Sequence, residues 1–144
     1  MGEAREVMDR FTAAVMAGDA ATVAACYTAD AVALTPDEGE LVGPEAISNW
    51  LLEFATAFPD LEYEYTQKHE VGNVAIDEGY LTGTNTGPLT VRPGESLPPT
   101  GKQIRMRSCD FAEVEGGLIT SHRFYFDQMD FLGQLGLLPD DMPG

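Results

Sequence analysis

Gln103-Ile104-Arg105-Met106-Arg107-Ser108-Cys109-Asp110-Phe111-Ala112-Glu113-Val114-Glu115, followed by Gly116-Gly117 and Leu118-Ile119-Thr120-Ser121-His122-Arg123-Phe124-Tyr125-Phe126-Asp127-Gln128, is the stretch that decides the fold. Two runs of strand length flank a Gly-Gly turn, so they predict a hairpin of two long strands, about Gln103 to Glu115 and Leu118 to Gln128. Alternation in the first run places Ile104, Met106, Ser108, Asp110 and Ala112 on one face.

Upstream, Leu61-Glu62-Tyr63-Glu64-Tyr65 also alternates, and Gly72-Asn73 turns the chain into a second alternating run that ends near Gly83. Between the two hairpins, Thr86 to Gly101 carries four prolines and three glycines, which predicts a loop joining neighbouring strands.

Before Asp60 the periodicity is helical. Val7, Phe11, Ala14 and Val15 define a first helix over about Glu3 to Ala17, stopped by Gly18. Asp19 is placed to cap a short Ala-rich helix ending near Tyr27. Ala31 to Thr35 reads as a short buried strand stopped by Pro36. Gly43-Pro44-Glu45 opens a third helix that runs to about Phe58. Phe131 to Leu138 reads as a short helical turn that plugs an opening. Helices first and antiparallel strands later give an α+β protein of one domain, residues 1–144, in which a long curved sheet wraps three N-terminal helices and encloses one pocket.

Composition narrows the partners. With 8 Lys plus Arg against 24 Asp plus Glu, the net charge is −16, which disfavours nucleic acid and anionic membrane surfaces. A hydrophobic content of 44% is enough for a real core. Among the bases, only Arg5 and Arg10 precede Lys68, so a pocket for an anionic ligand would have to draw on the second half. Cys26 and Cys109 lack metal spacing and read as buried free thiols. The N-terminus lacks the apolar run of a signal peptide, and no stretch is long enough to span a membrane, so a cytoplasmic location is the expectation.

The candidate chemistry lies on the last two strands. Asp110 is a charge on a mostly apolar face, and Asp127 ends the aromatic run Phe124-Tyr125-Phe126. A carboxylate among apolar groups gains proton affinity, which suits a general acid or base. The alternative is that either Asp is held ionised by Arg105, Arg107 or Arg123, or caps a turn. His122 lies five positions before Asp127 and therefore on the opposite strand face, which argues against a dyad between those two. His69 reads as a surface strand residue, and neither histidine has a partner at metal spacing. Asn85 is placed either to hydrogen-bond a ligand or to close a turn. Trp50, Phe54 and Phe58 recur at helical spacing, and with Tyr125 they supply rings for a pocket wall.

Taken together, Tyr27-Thr28-Ala29-Asp30-Ala31-Val32, Gly43-Pro44-Glu45-Ala46-Ile47, Gly83-Thr84-Asn85-Thr86-Gly87-Pro88-Leu89, Pro98-Pro99-Thr100-Gly101-Lys102 and Tyr125-Phe126-Asp127 with Gln134-Leu135-Gly136-Leu137 resemble a SnoaL-like polyketide cyclase of the nuclear-transport-factor-2-like superfamily. The first two segments are common to the superfamily, and the last three are more specific to the SnoaL-like branch. The resemblance implies a cone-shaped α+β barrel and a homodimer through the outer sheet face. It also implies ring closure of a polyketide-like ester by intramolecular aldol condensation, without metal or organic cofactor. The family's acid/base Asp corresponds to Asp127, and Asp110 matches a position often acidic on the preceding strand. Asn85, Trp50, Phe54 and Tyr125 are then expected around the substrate. Asn85 stands where many relatives carry a His, so a titrating group is missing there.

Two other readings stay open at this stage. One is an epoxide hydrolase or isomerase of the same superfamily, although Ser108 and Thr35 occupy positions where those enzymes need Arg and a base. The other is a noncatalytic small-molecule binding or dimerisation module. The enzyme readings lose most of their support unless Asp110 and Asp127 face one cavity of ligand size, roughly 300 Å³ or more.

Overall fold

The computed structural model describes residues 2–92 and 94–138. Its elements are α1 (Glu3–Met16), α2 (Ala20–Ala25), β1 (Tyr27–Thr35), β2 (Gly39–Val42), α3 (Pro44–Ala57), β3 (Glu62–Val71), β4 (Val74–Thr84), β5 (Leu89–Arg92), β6 (Glu95–Leu97), β7 (Gln103–Glu115), β8 (Leu118–Phe126) and α4 (Gln128–Gln134).

The apolar stripe of α1 buries Val7, Met8, Phe11, Ala14 and Val15. Gly18 ends the helix at φ 67°, a left-handed conformation that lets the Asp19 N–H reach the Ala14 carbonyl at 2.9 Å. The Asp19 carboxylate then accepts the Thr22 N–H and starts α2. Pro44 occupies the first turn of α3 with Glu45 beside it, and the helix buries Ile47, Trp50, Leu51 and Ala57.

Six strands form one sheet in the order β2-β1-β8-β7-β4-β3. All neighbours are antiparallel except β1 and β8, which run parallel, so the sheet is mixed. It forms the cone of an α+β fold with β2 and β3 as open edges. Helix α1 packs on β3, β4 and β7, and α3 packs on β1 and β5. Along β7, Ile104, Met106, Asp110, Ala112 and Val114 are buried, as alternation requires of a strand with one face on the core.

Three expectations are corrected by the coordinates. The segment 86–101 contains a two-stranded ribbon, β5 with β6, because Pro88, Pro98 and Pro99 fall outside the short strands and remove no ladder bonds. Pro93 lies outside the described residues. The first strand begins at Tyr27, not Ala31: α2 closes at Cys26, and Tyr27 pairs with Ile119 before a register shift that precedes Val32. Cys26 is buried, whereas Cys109 is only half-buried.

Candidate active site

Strand β7 brings Asp110 to the inner face, and β8 brings His122, Phe124 and Phe126 to the same side. Asp110 is registered with Phe124, and His122 with Ala112, so the two polar side chains are diagonal neighbours. His122 Nε2 lies 2.7 Å from Asp110 Oδ2. On the ring's other side, Nδ1 lies 2.7 Å from the Tyr27 hydroxyl. His122 is 0% exposed and Tyr27 4%, whereas Asp110, at 8%, borders a cavity.

For a neutral ring beside an ionised Asp110, the contacts assign one role to each atom. An ionised Asp110 only accepts, so Nε2 carries the proton, Nδ1 accepts, and Tyr27 donates. Stacked rings hold the imidazole in that plane: Phe124 lies 4.0 Å away at 25° and Phe11 meets it edge-on at 4.8 Å. Burial, then the charge of Asp110, pushes the Tyr27 hydroxyl well above the usual phenol range, so it stays a donor.

The chamber in front of Asp110 has a volume of about 80 Å³. Phe11, Trp50, Phe54, Met106, Phe124 and Phe126 form most of its wall. Among the described residues its polar lining is Thr12, Tyr63, Ser108, Cys109, Asp110 and Tyr125, without Lys or Arg. Tyr63 donates to the Ser108 carbonyl at 3.1 Å, and burial raises its phenol strongly. Trp50, Phe54 and Phe126 also wall an outer hollow of about 420 Å³, so the two spaces meet at these three rings.

The other residues singled out in the sequence are distributed differently. Asp127 is exposed at the start of α4, and its Oδ1 accepts the Asp130 N–H at 3.0 Å. It borders a surface hollow with Glu78, Tyr80, Arg105 and Arg107 and does not line the chamber, although Ser108, Cys109, Tyr125 and Phe126 border both spaces. Asp110 and Asp127 are therefore not brought together, because Asp127 lies five positions after His122, an odd offset that sets it on the other face just past the end of β8. Asn85 is 0% exposed and its amide is fully used inside the protein: Nδ2 donates to the Ala57 and Gly87 carbonyls, and Oδ1 accepts from the Thr100 N–H and hydroxyl. It ties the end of α3 to the 86–101 segment and does not line the chamber.

Trp50 and Phe54 do line it, and the Trp50 indole donates to Asp37 at 3.1 Å. Tyr125 borders the chamber but is 52% exposed, with its ring edge-on to Phe111. His69 is exposed on β3. Among the described residues, no group of three His, Cys, Asp or Glu could hold a metal ion, and no helix is long and apolar enough to cross a membrane.

His122 and Tyr27 are the residues that sequence reasoning missed. Strand parity already put Ser108, Asp110 and Ala112 on one face of β7. Carried through the two-residue Gly116-Gly117 turn, the same parity pairs His122 with Phe111 and sets it on the outer face; the register shift between Glu113 and Val114, which no signal in the sequence marks, brings it opposite Ala112 and onto the inner face beside Asp110. Tyr27 had no signal either, because its place depends on the parallel pairing of β1 with β8.

Comparison with known proteins agrees with this architecture. Among curated proteins, none matches the chain in sequence. Solved structures share the fold at low identity. TsrD from Streptomyces laurentii is 22% identical, with a TM-score of 0.77 over 94% of this chain and 96% of that one. A protein from Jannaschia sp. CCS1, named as a candidate SnoaL-like polyketide cyclase, is 16% identical, with a TM-score of 0.81 over 95% and 94%. IdmH from Streptomyces antibioticus, named as a candidate polyketide cyclase, is 20% identical, with a TM-score of 0.76 over 94% and 99%. At such identities the likeness establishes fold alone. The SnoaL-like domain family matches residues 8–122, from the middle of α1 to His122 itself, and the chain belongs to that family.

Proposed function

We propose that the protein is a cofactor-independent acid/base enzyme that closes a ring in a polyketide-like molecule by intramolecular aldol condensation, with Asp110 as the proton-transferring group. The observation that carries this reading is that Asp110 is, among the described residues, the one carboxylate in the wall of an aromatic chamber and is backed by a buried His122. Asp110 would remove a proton from a carbon beside a carbonyl. The resulting enolate carbon forms the new bond to a second carbonyl of the same molecule, and the alkoxide so made takes the proton back. Atoms and charge balance without a co-reactant. His122 holds one carboxylate oxygen still, which leaves the other free to reach the substrate.

The chamber alone is too small for a whole substrate of this class, since ligand pockets run to roughly 300 Å³ or more. The reacting end would sit against Asp110, with the remainder between Trp50, Phe54 and Phe126 in the outer hollow. The absence of Lys and Arg from the chamber wall, among the described residues, favours an uncharged reacting end. The test is turnover of an aromatic β-keto ester, followed by chromatography, in the wild type and in Asp110→Asn. Full activity in the variant would end this assignment.

The placement of Asp127 outside the chamber favours a second reading, a noncatalytic module that binds a small apolar molecule. Quenching of Trp50, the single tryptophan, by such a ligand without turnover would select it. As a working assembly we propose a homodimer through the outer sheet face that carries Phe111 and Tyr125, to be tested by sedimentation.

A further inference from the structure

Asp110 does not stand alone on the inner face. Asp77 on β4 is registered directly opposite it, and the two are 1% and 8% exposed. Arg5, 4% exposed, reaches down from α1 and places Nη2 2.6 Å from Asp77 Oδ1. The approach is oblique: Asp77 Oδ1 has no aligned hydrogen-bond donor, whereas Arg5 gives hydrogen bonds to Asp9 and to the His69 carbonyl. Arg5, Asp77, Asp110 and His122 thus form a continuous row across β4, β7 and β8 beneath α1.

We propose that Asp77 is a positioning residue for the Asp110–His122 pair, and that with Arg5 the row takes up and releases protons as one unit. The physical reason is charge. One cation, two carboxylates and a neutral imidazole leave one net negative charge away from water, and such a charge is costly until a proton enters the row. Two carboxylates facing each other across adjacent strands cannot ionise independently.

The surroundings add few other charges. From α1 come Arg5 and Asp9, from β1 Tyr27, from β3 Tyr63 and Tyr65, and from β7 Cys109, while Lys68 on β3 acts through Asp9. Consistent with this, burial and then the charge of Asp110 push the Asp77 carboxyl up to about 6, against the pull of Arg5. The functional meaning of the row rests on Asp110 as the acid/base group, whereas its titration does not.

The experiment is carboxyl ¹³C and imidazole ¹⁵N NMR of the full chain against pH, without substrate. The chain has 2 histidines, and exposed His69 serves as the internal control. In the wild type, the His122 ring signals inflect at the same pH as the Asp77 carboxyl, and in Asp77→Asn that inflection disappears. In Asp110→Asn the Asp77 inflection moves to lower pH, equivalent to about tenfold weaker proton binding. Arg5→Gln moves it upward, and Arg5→Lys restores it. An Asp77 that titrates independently of the Asp110–His122 pair would still respond to Arg5→Gln, but would neither shift in Asp110→Asn nor move the His122 signals.

An Asp77 titration unchanged by Asp110→Asn, or His122 signals indifferent to it, overturns the proposal. Should Asp77→Asn fail to fold, the Asp110 and Arg5 variants carry the test. Failure here leaves the turnover test of Asp110 standing, and an inactive wild type leaves this titration standing.

Discussion

His122 Nε2 lies 2.7 Å from Asp110 Oδ2 along the diagonal between β8 and β7. The relationship gives Asp110 a fixed orientation at the wall of an apolar chamber. Asp110→Asn keeps the shape but not the proton chemistry, so turnover should fall by about 10² to 10⁴. Retained quenching of Trp50 by substrate would show that binding survives, and unchanged circular dichroism that the fold does.

Asp127 supplies the contrast. Its carboxylate caps α4, and Asn caps nearly as well. Asp127→Asn should therefore leave both turnover and stability close to wild type, whereas Asp127→Ala should cost about 1 kcal/mol in urea denaturation. Loss of turnover in a folded Asp127→Asn would return the acid/base role to that residue.

Tyr27→Phe removes the donor to His122 Nδ1 and leaves a buried ring nitrogen unpaired. The expected loss is about 1 to 3 kcal/mol in denaturant unfolding. His122→Ala should cost more, since it leaves a largely buried carboxylate without its partner and opens a cavity beside Phe11 and Phe124.

Asn85→Ala deletes four hydrogen bonds and strips the Gly87 carbonyl and the Thr100 N–H of their Asn85 partner, while the Ala57 carbonyl keeps only the Gly87 N–H. A loss of about 2 to 4 kcal/mol is expected, with the 86–101 segment released first in hydrogen exchange. Gly87→Ala should act in the same direction, because its Cβ would collide with the Thr56 carbonyl.

Asp77 gives stability a sign with pH. Its folded carboxyl titrates at about 6, above the unfolded range near 4, so the folded state binds the proton more tightly. Its stabilisation is complete below pH 4 and is lost as pH rises through 6. Relative to Asp77→Asn, the wild type should lose on the order of 2 kcal/mol between pH 4 and 7, measured by urea denaturation at each pH.

Much of this was legible in the sequence because it is local. The stop at Gly18, the cap at Asp19, the start at Pro44 and the Gly116-Gly117 hairpin each depend on a few adjacent residues, and the structure places them where the sequence predicts. Alternation along β7 similarly assigned Asp110 to the buried face. Asp127 was ambiguous because an aromatic run followed by Asp reads equally well as a desolvated acid and as a helix cap. Asn85 was ambiguous because an amide at a strand end serves a ligand or a turn equally well.

What the sequence determined by itself was the order of the main elements and the buried face of β7, since these follow from periods of 3.6 and 2 and from turn chemistry. What only the tertiary structure decided was which inward residues meet: Asp110 with His122, His122 with Tyr27, and Asp77 with Arg5. Those pairings depend on strand order, on a parallel β1–β8 contact and on the register shift after Tyr27. Strand order and register are set by the packing of the whole sheet around α1 and α3, which no local pattern encodes.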